Sequence, residues 1–82
     1  MAPTVVLLPD HIEIHVDGDD AIVVNDVSDL AEALRAVSKD HEVNGSWILS
    51  ADSRTLLERM VAAMDAARAA NFRSVTLAGG AL

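Results

Sequence analysis

His11 and His15 stand four residues apart with Glu13 midway between them, and on an extended strand that alternation turns all three toward one face. Imidazole and carboxylate are the groups of metal binding and of proton transfer near neutral pH. At the usual rise per residue the two histidine Cα atoms lie about 13 Å apart, too far to share one metal ion. The set therefore reads as a solvated polar face or as a pH-sensitive contact, and His41, in a loop, adds nothing to it. Asp17, Asp19, Asp20 and Asp26 have the oxygen chemistry of a calcium loop. They lack the glycine at position six and the bidentate glutamate at position twelve that fold such a loop around the ion, and no metal site is expected.

The remaining chemistry-bearing residues fall in no catalytic pattern. None of the serines at 28, 38, 46, 50, 53 and 74 lies in a G-x-S-x-G elbow, and the glycines form neither a GxGxxG nor a Walker loop. No catalytic residue, cofactor or nucleotide site follows, and the chain is not expected to be an enzyme. Asp52 is the one carboxylate presented where α/β sheets place sites, at the carboxyl end of a strand. Capping of the next helix is the plainer account of it.

The elements that would position these residues are well marked. Ile12, Ile14 and Val16 alternate with polar neighbours as a half-buried strand requires. Asp17-Gly18-Asp19-Asp20 supplies a turn, and Ala21 to Val24 returns as the second arm of a hairpin. Asp26 or Ser28 caps a helix carrying Leu30, Leu34 and Val37 at helical spacing, acids early and bases late, ending near Ser38. Asn44-Gly45 marks a loop before the strand Trp47 to Ser50. Thr55-Leu56-Leu57-Glu58 fits a capping box for a second helix whose apolar stripe is Leu57, Met60, Val61, Met64 and Ala67. Asn71 closes it in the left-handed region, and Val75 to Leu77 makes a last strand.

The order is β-β-α-β-α-β, an α+β fold with two helices packed on one face of a small mixed sheet and its last strand-helix-strand unit in parallel pairing. Residues 1–9, bracketed by Pro3 and Pro9, are read as a linker, as an added N-terminal strand or as a swapped edge strand; residues 10–79 are the domain and 80–82 a tail.

Bulk properties bound the function. Eighty-two residues make one domain, burying roughly 60–65% of its unfolded surface, with a small stability margin that dimerisation would widen. The absence of cysteine removes disulfides and thiolate sites. Ten acids against two bases in residues 1–45 give −8, and three against four in residues 46–82 give +1, together the net −7. So acidic a front repels phosphate backbones and disfavours nucleic acid, while it attracts basic partners or keeps the domain soluble. Apolar runs such as Val5–Leu8 and Ala21–Val24 fall far short of the roughly 18 residues that span a bilayer. No secretory signal is present, and Met1-Ala2-Pro3 reads as a start placed on a fragment.

Taken in order, Ile14, Val16, Asp17 and Gly18 (I-x-V-D-G), Leu30 and Leu34, Ile48, Ala51, Asp52 and Arg54, then Val61, Met64, Asp65, Ala66, Ala70, Phe72, Val75 and Leu77 resemble the ExbD/TolR family over residues 10–78. The match is most specific from Ala51 onward. The chain departs from the family in Asn71, where glycine is usual, in Thr55, where an aromatic is common, and in the turn enlarged by Asp19-Asp20.

The resemblance implies the periplasmic domain of a single-pass inner-membrane protein, joined through a transmembrane helix to an ExbB/TolQ-type channel and coupling the proton motive force to a TonB/TolA-type partner. It implies a homodimer and permits contact with peptidoglycan. Strand addition at a sheet edge is the expected mode of contact, with Thr4, Val5, Val6, Leu7 and Leu8 and Ser74, Val75, Thr76, Leu77 and Ala78 as edges, and Asp52 and Arg54 as further partner contacts. The alternative is a small ligand-sensing domain of ferredoxin-like or ACT-like kind.

Overall fold

The computed structural model describes residues 2–40, 45–51 and 54–79. Five strands form one mixed sheet: β1 (Thr4–Leu7), β2 (Ile12–His15), β3 (Ile22–Val24), β4 (Ser46–Ala51) and β5 (Ser74–Gly79), in the spatial order β3-β2-β1-β4-β5. β2 runs antiparallel to both its neighbours, whereas β1, β4 and β5 are parallel. A 3-10 turn (Val27–Asp29) leads into α1 (Leu30–Asp40), and α2 (Leu57–Ala69) joins β4 to β5. The α+β class and the two-helix arrangement are those expected.

Register explains why both helices lie on one face. Residues paired across neighbouring strands point the same way, so Ile22, Ile14, Val5, Leu49 and Leu77 make one row, and Val24, Ile12 and Leu7 the next. The inner members of these rows are buried together with Leu30, Leu34 and Val37 of α1 and Ala63 and Ala67 of α2. The opposite rows, such as Val23, Glu13, Val6, Ser50 and Ala78, carry no helix among the described residues.

The added N-terminal strand is present, but its expected place at an edge is overturned. Thr4–Leu8 is neither a linker nor an edge: Thr4–Leu7 is the central strand, antiparallel to β2 on one side and parallel to β4 on the other. The domain therefore begins at β1 rather than at residue 10. The prolines misled because each sits just outside the ladder. Pro3 lends only its carbonyl, which accepts from the Ile48 N–H at 2.9 Å, and Pro9 lies in the β1–β2 turn closed by Leu8 N–H to the His11 carbonyl at 3.0 Å. The sequence of Thr4–Leu7 lacks alternation because Val6 puts an apolar side chain on the outer face as well, yet burial does alternate, with Val5 and Leu7 inside and Thr4 and Val6 half-buried.

The second helix differs in detail. It starts at Leu57 with Leu56 at the cap position and no side-chain cap, so the Thr55–Glu58 capping box is not formed. The Leu56 carbonyl instead takes the Arg59 and Met60 N–H groups, and the Arg59 guanidinium reaches the His11 carbonyl at 3.5 Å. A local cap contributes on the order of 1 kcal/mol, and here the first turn also makes a tertiary contact to the β1–β2 turn. The buried stripe runs through Ala63, Ala67 and Ala70, flanked by Met60 and Met64, while Leu57 and Val61 are 73% and 47% exposed. Alanine brings the helix close to the sheet and leaves the larger side chains outside.

The closing turns agree with the sequence. Asp26 accepts from the Ser28 N–H at 3.2 Å at the head of the 3-10 turn. Asn71 has φ 70°, its N–H bonding Arg68 and that of Phe72 bonding Ala67, a Schellman closure with Phe72 buried beneath it.

Candidate functional site

The two sheet edges differ in kind. β3 is three residues long and stands close in sequence to Asp19, Asp20, Asp26 and Asp29, a short, acid-flanked edge of the sort that resists pairing. β5 is six residues long and contains no charge. Its free side can be assigned from the ladder. Ser74 N–H donates to the Gly45 carbonyl at 3.1 Å, and in a parallel strand the backbone groups of alternate residues point to opposite neighbours. Ser74, Thr76 and Ala78 thus face β4, and Val75 and Leu77 turn their N–H and C=O groups outward. The side chains of Val75 and Leu77 lie on the helix side, in register with Trp47 and Leu49, yet are 40% and 56% exposed. The chain so displays a row of main-chain donors and acceptors beside an uncovered apolar border.

Of the residues expected to form edges, Ser74–Ala78 lie on one and Thr4–Leu7 do not. Asp52 lies outside the described residues. Arg54 is exposed on the approach to α2, remote in the sheet order from β3 and its acids. Sequence reasoning missed Leu57 and Val61 as exposed apolar residues. The signal was present in Ala63, Ala67 and Ala70, whose spacing defines a helical stripe of its own.

His11, Glu13 and His15 do share a face, and Glu13 joins them. One carboxylate oxygen meets His11 Nε2 and the other His15 Nε2, each at 2.9 Å, while His11 Nδ1 meets Asp10 at 2.7 Å. The hydrogen bond to Glu13, and then that to Asp10, raises the His11 pKa above its ordinary value. Glu13 is lowered, chiefly by His11 and next by His15, and Asp10 is lowered by His11. Among the described residues no group of three such side chains is arranged to hold a metal ion. What the cluster does is tie the loop end of β2 to its middle through charge.

A cleft of about 330 Å³ opens between the β1–β2 turn and the entry to α2, lined by Leu7, Pro9, Arg54, Thr55, Leu56 and Arg59. It is separate from the β5 edge, lying beyond the carboxyl ends of β1 and β4.

These features define a small α+β scaffold in which, among the described residues, the outer edge of β5 is left unpaired. The family model for biopolymer transport protein ExbD/TolR matches residues 2–81, nearly the whole chain, and the chain belongs to that family. No curated protein and no solved structure gives a significant match. Membership makes biopolymer transport, rather than small-ligand sensing, the setting in which the edge is read. No helix among the described residues is long and apolar enough to cross a membrane.

Proposed function

We propose that this chain is the periplasmic interaction domain of an ExbD/TolR-like transport protein, which dimerises and engages a TonB/TolA-type partner by adding a strand at β5. Proton flow through an ExbB/TolQ-type channel, reached through a membrane helix of the whole protein, then does mechanical work on that partner. Peptidoglycan is a further contact that family membership permits. The observation that carries the reading is the uncharged six-residue edge of β5 in a chain of this family. Main-chain pairing provides affinity without demanding any particular side-chain chemistry.

The Val75 N–H points away from β4, so Val75→Pro removes an edge donor while sparing the β4–β5 ladder. Sedimentation of the chain, alone and with a TonB/TolA-type periplasmic segment, is expected to show self-association and partner binding for the parent. Both should be lost in a Val75→Pro variant that still melts cooperatively. Unchanged association by that folded variant would remove β5 as the contact edge.

A further inference from the structure

The cleft between the β1–β2 turn and α2 has a composition unlike the rest of the molecule. Two of the six cationic side chains of a chain with net charge −7, Arg54 and Arg59, line one space of about 330 Å³. Thr55 adds a hydroxyl, and Leu7, Pro9 and Leu56 form an apolar wall. We propose that this cleft is a carboxylate-binding site, taking a peptide carboxylate that sits next to an apolar side chain.

Three observations support it. First, position: β1 and β4 are parallel neighbours, and beyond their carboxyl ends the chain leaves in different directions, back into β2 after β1 and on into α2 after β4. Such divergence opens a crevice between parallel strands, where α/β sheets receive ligands. Second, preorganisation: Arg59 is half-buried and its guanidinium lies 3.5 Å from the His11 carbonyl, a contact that orients it toward the β1–β2 turn while using one of its five donors. A carboxylate can then be met by the fork of a guanidinium part of whose ordering has already been accomplished by the fold. Third, selectivity: guanidinium groups beside an apolar wall favour a carboxylate attached to a hydrophobic residue over a bare anion, because only the former also buries Leu56 and Pro9.

The carboxylate can come from a chain terminus or from an acidic side chain, and the test separates these sources. The 82-residue chain is titrated, with amide chemical shifts as the readout, with three short acetylated Gly-Ser peptides. One ends in leucine with a free carboxylate, one carries an internal Asp-Leu and an amidated end, and one is the leucine peptide with its terminus amidated. At least one carboxylated peptide is expected to shift the amides of Leu7, Thr55, Leu56 and Leu57 and to bind about tenfold more tightly than the neutral control, the better of the two naming the source. Arg54→Gln and Arg59→Gln should each weaken it about fivefold, and Arg54→Gln, altering an exposed side chain, keeps the fold. Equal binding of all three peptides, shifts confined to other elements, or full affinity in Arg54→Gln and Arg59→Gln would overturn the assignment. Binding here does not depend on the β5 edge, so Val75→Pro should leave it intact.

Discussion

Asn71 shows how one residue can close an element. It holds φ 70° at the end of α2, a conformation that costs most residues about 1–2 kcal/mol but that asparagine tolerates, and so the departure from glycine leaves the turn to β5 intact. The His11–Glu13–His15 set acts through charge. Because the folded state raises His11, its contribution is full below the ordinary value of 6.5 and is lost as pH rises through the raised value. Glu13 is lowered, so its contribution is full above 4.5 and is lost as pH falls through the lowered value. Both are complete between about pH 4.5 and 6.5. Thermal melts should therefore show Glu13→Gln less stable than the parent at pH 5.5, with the gap shrinking by pH 8. A gap that stays constant across that range would assign the loss to something other than the histidine–carboxylate linkage.

Among the elements, α2 is the one whose facing the fold had to decide. Its apolar residues outnumber what one stripe can hold, and close approach to the sheet selects the alanines for the inside. A contrast of two leucines tests the facing. Leu34 of α1 is fully buried, and Leu34→Ala should cost about 2–5 kcal/mol. Leu57→Ala should change stability by less than about 0.5 kcal/mol, in urea unfolding followed by circular dichroism. Comparable losses would mean that Leu57 belongs to the core. The β5 strand owes its availability to the same geometry: α2 crosses to it from β4 yet leaves Val75 and Leu77 partly uncovered.

For the whole molecule, the consequence of a central β1 is that the first residues are not dispensable. Val5 sits in the middle of one apolar row and Leu7 closes the next, and among the described residues β1 alone is bonded to both the β2–β3 hairpin and the β4–β5 pair. A chain beginning at residue 9 should show no cooperative thermal transition and should bind a hydrophobic dye. A sharp transition in that truncated chain would mean that the two halves close without β1. With a Cα radius of gyration of 11.5 Å, close to the roughly 12 Å expected of a chain this size, the fold has little core to spare for such a loss.

The sequence by itself determined the local units, because these follow from periodicity and end chemistry: the Ile12–Ile14 alternation, the turn at Gly18, the α1 stripe of Leu30, Leu34 and Val37, and the αL closure at Asn71. It also carried the family, through Ala51, Asp52 and the residues from Val61 to Leu77. Tertiary structure decided what depends on neighbours distant in the chain. Whether Thr4–Leu7 lies in the centre or at an edge rests on which strands flank it. Which apolar residues of α2 turn inward is settled by how closely helix and sheet approach, and the meeting of Arg54 and Arg59 with Leu7 and Pro9 arises only when β1 lies beside β4. Strand pairing and helix docking are long-range contacts, and no window of local sequence encodes them.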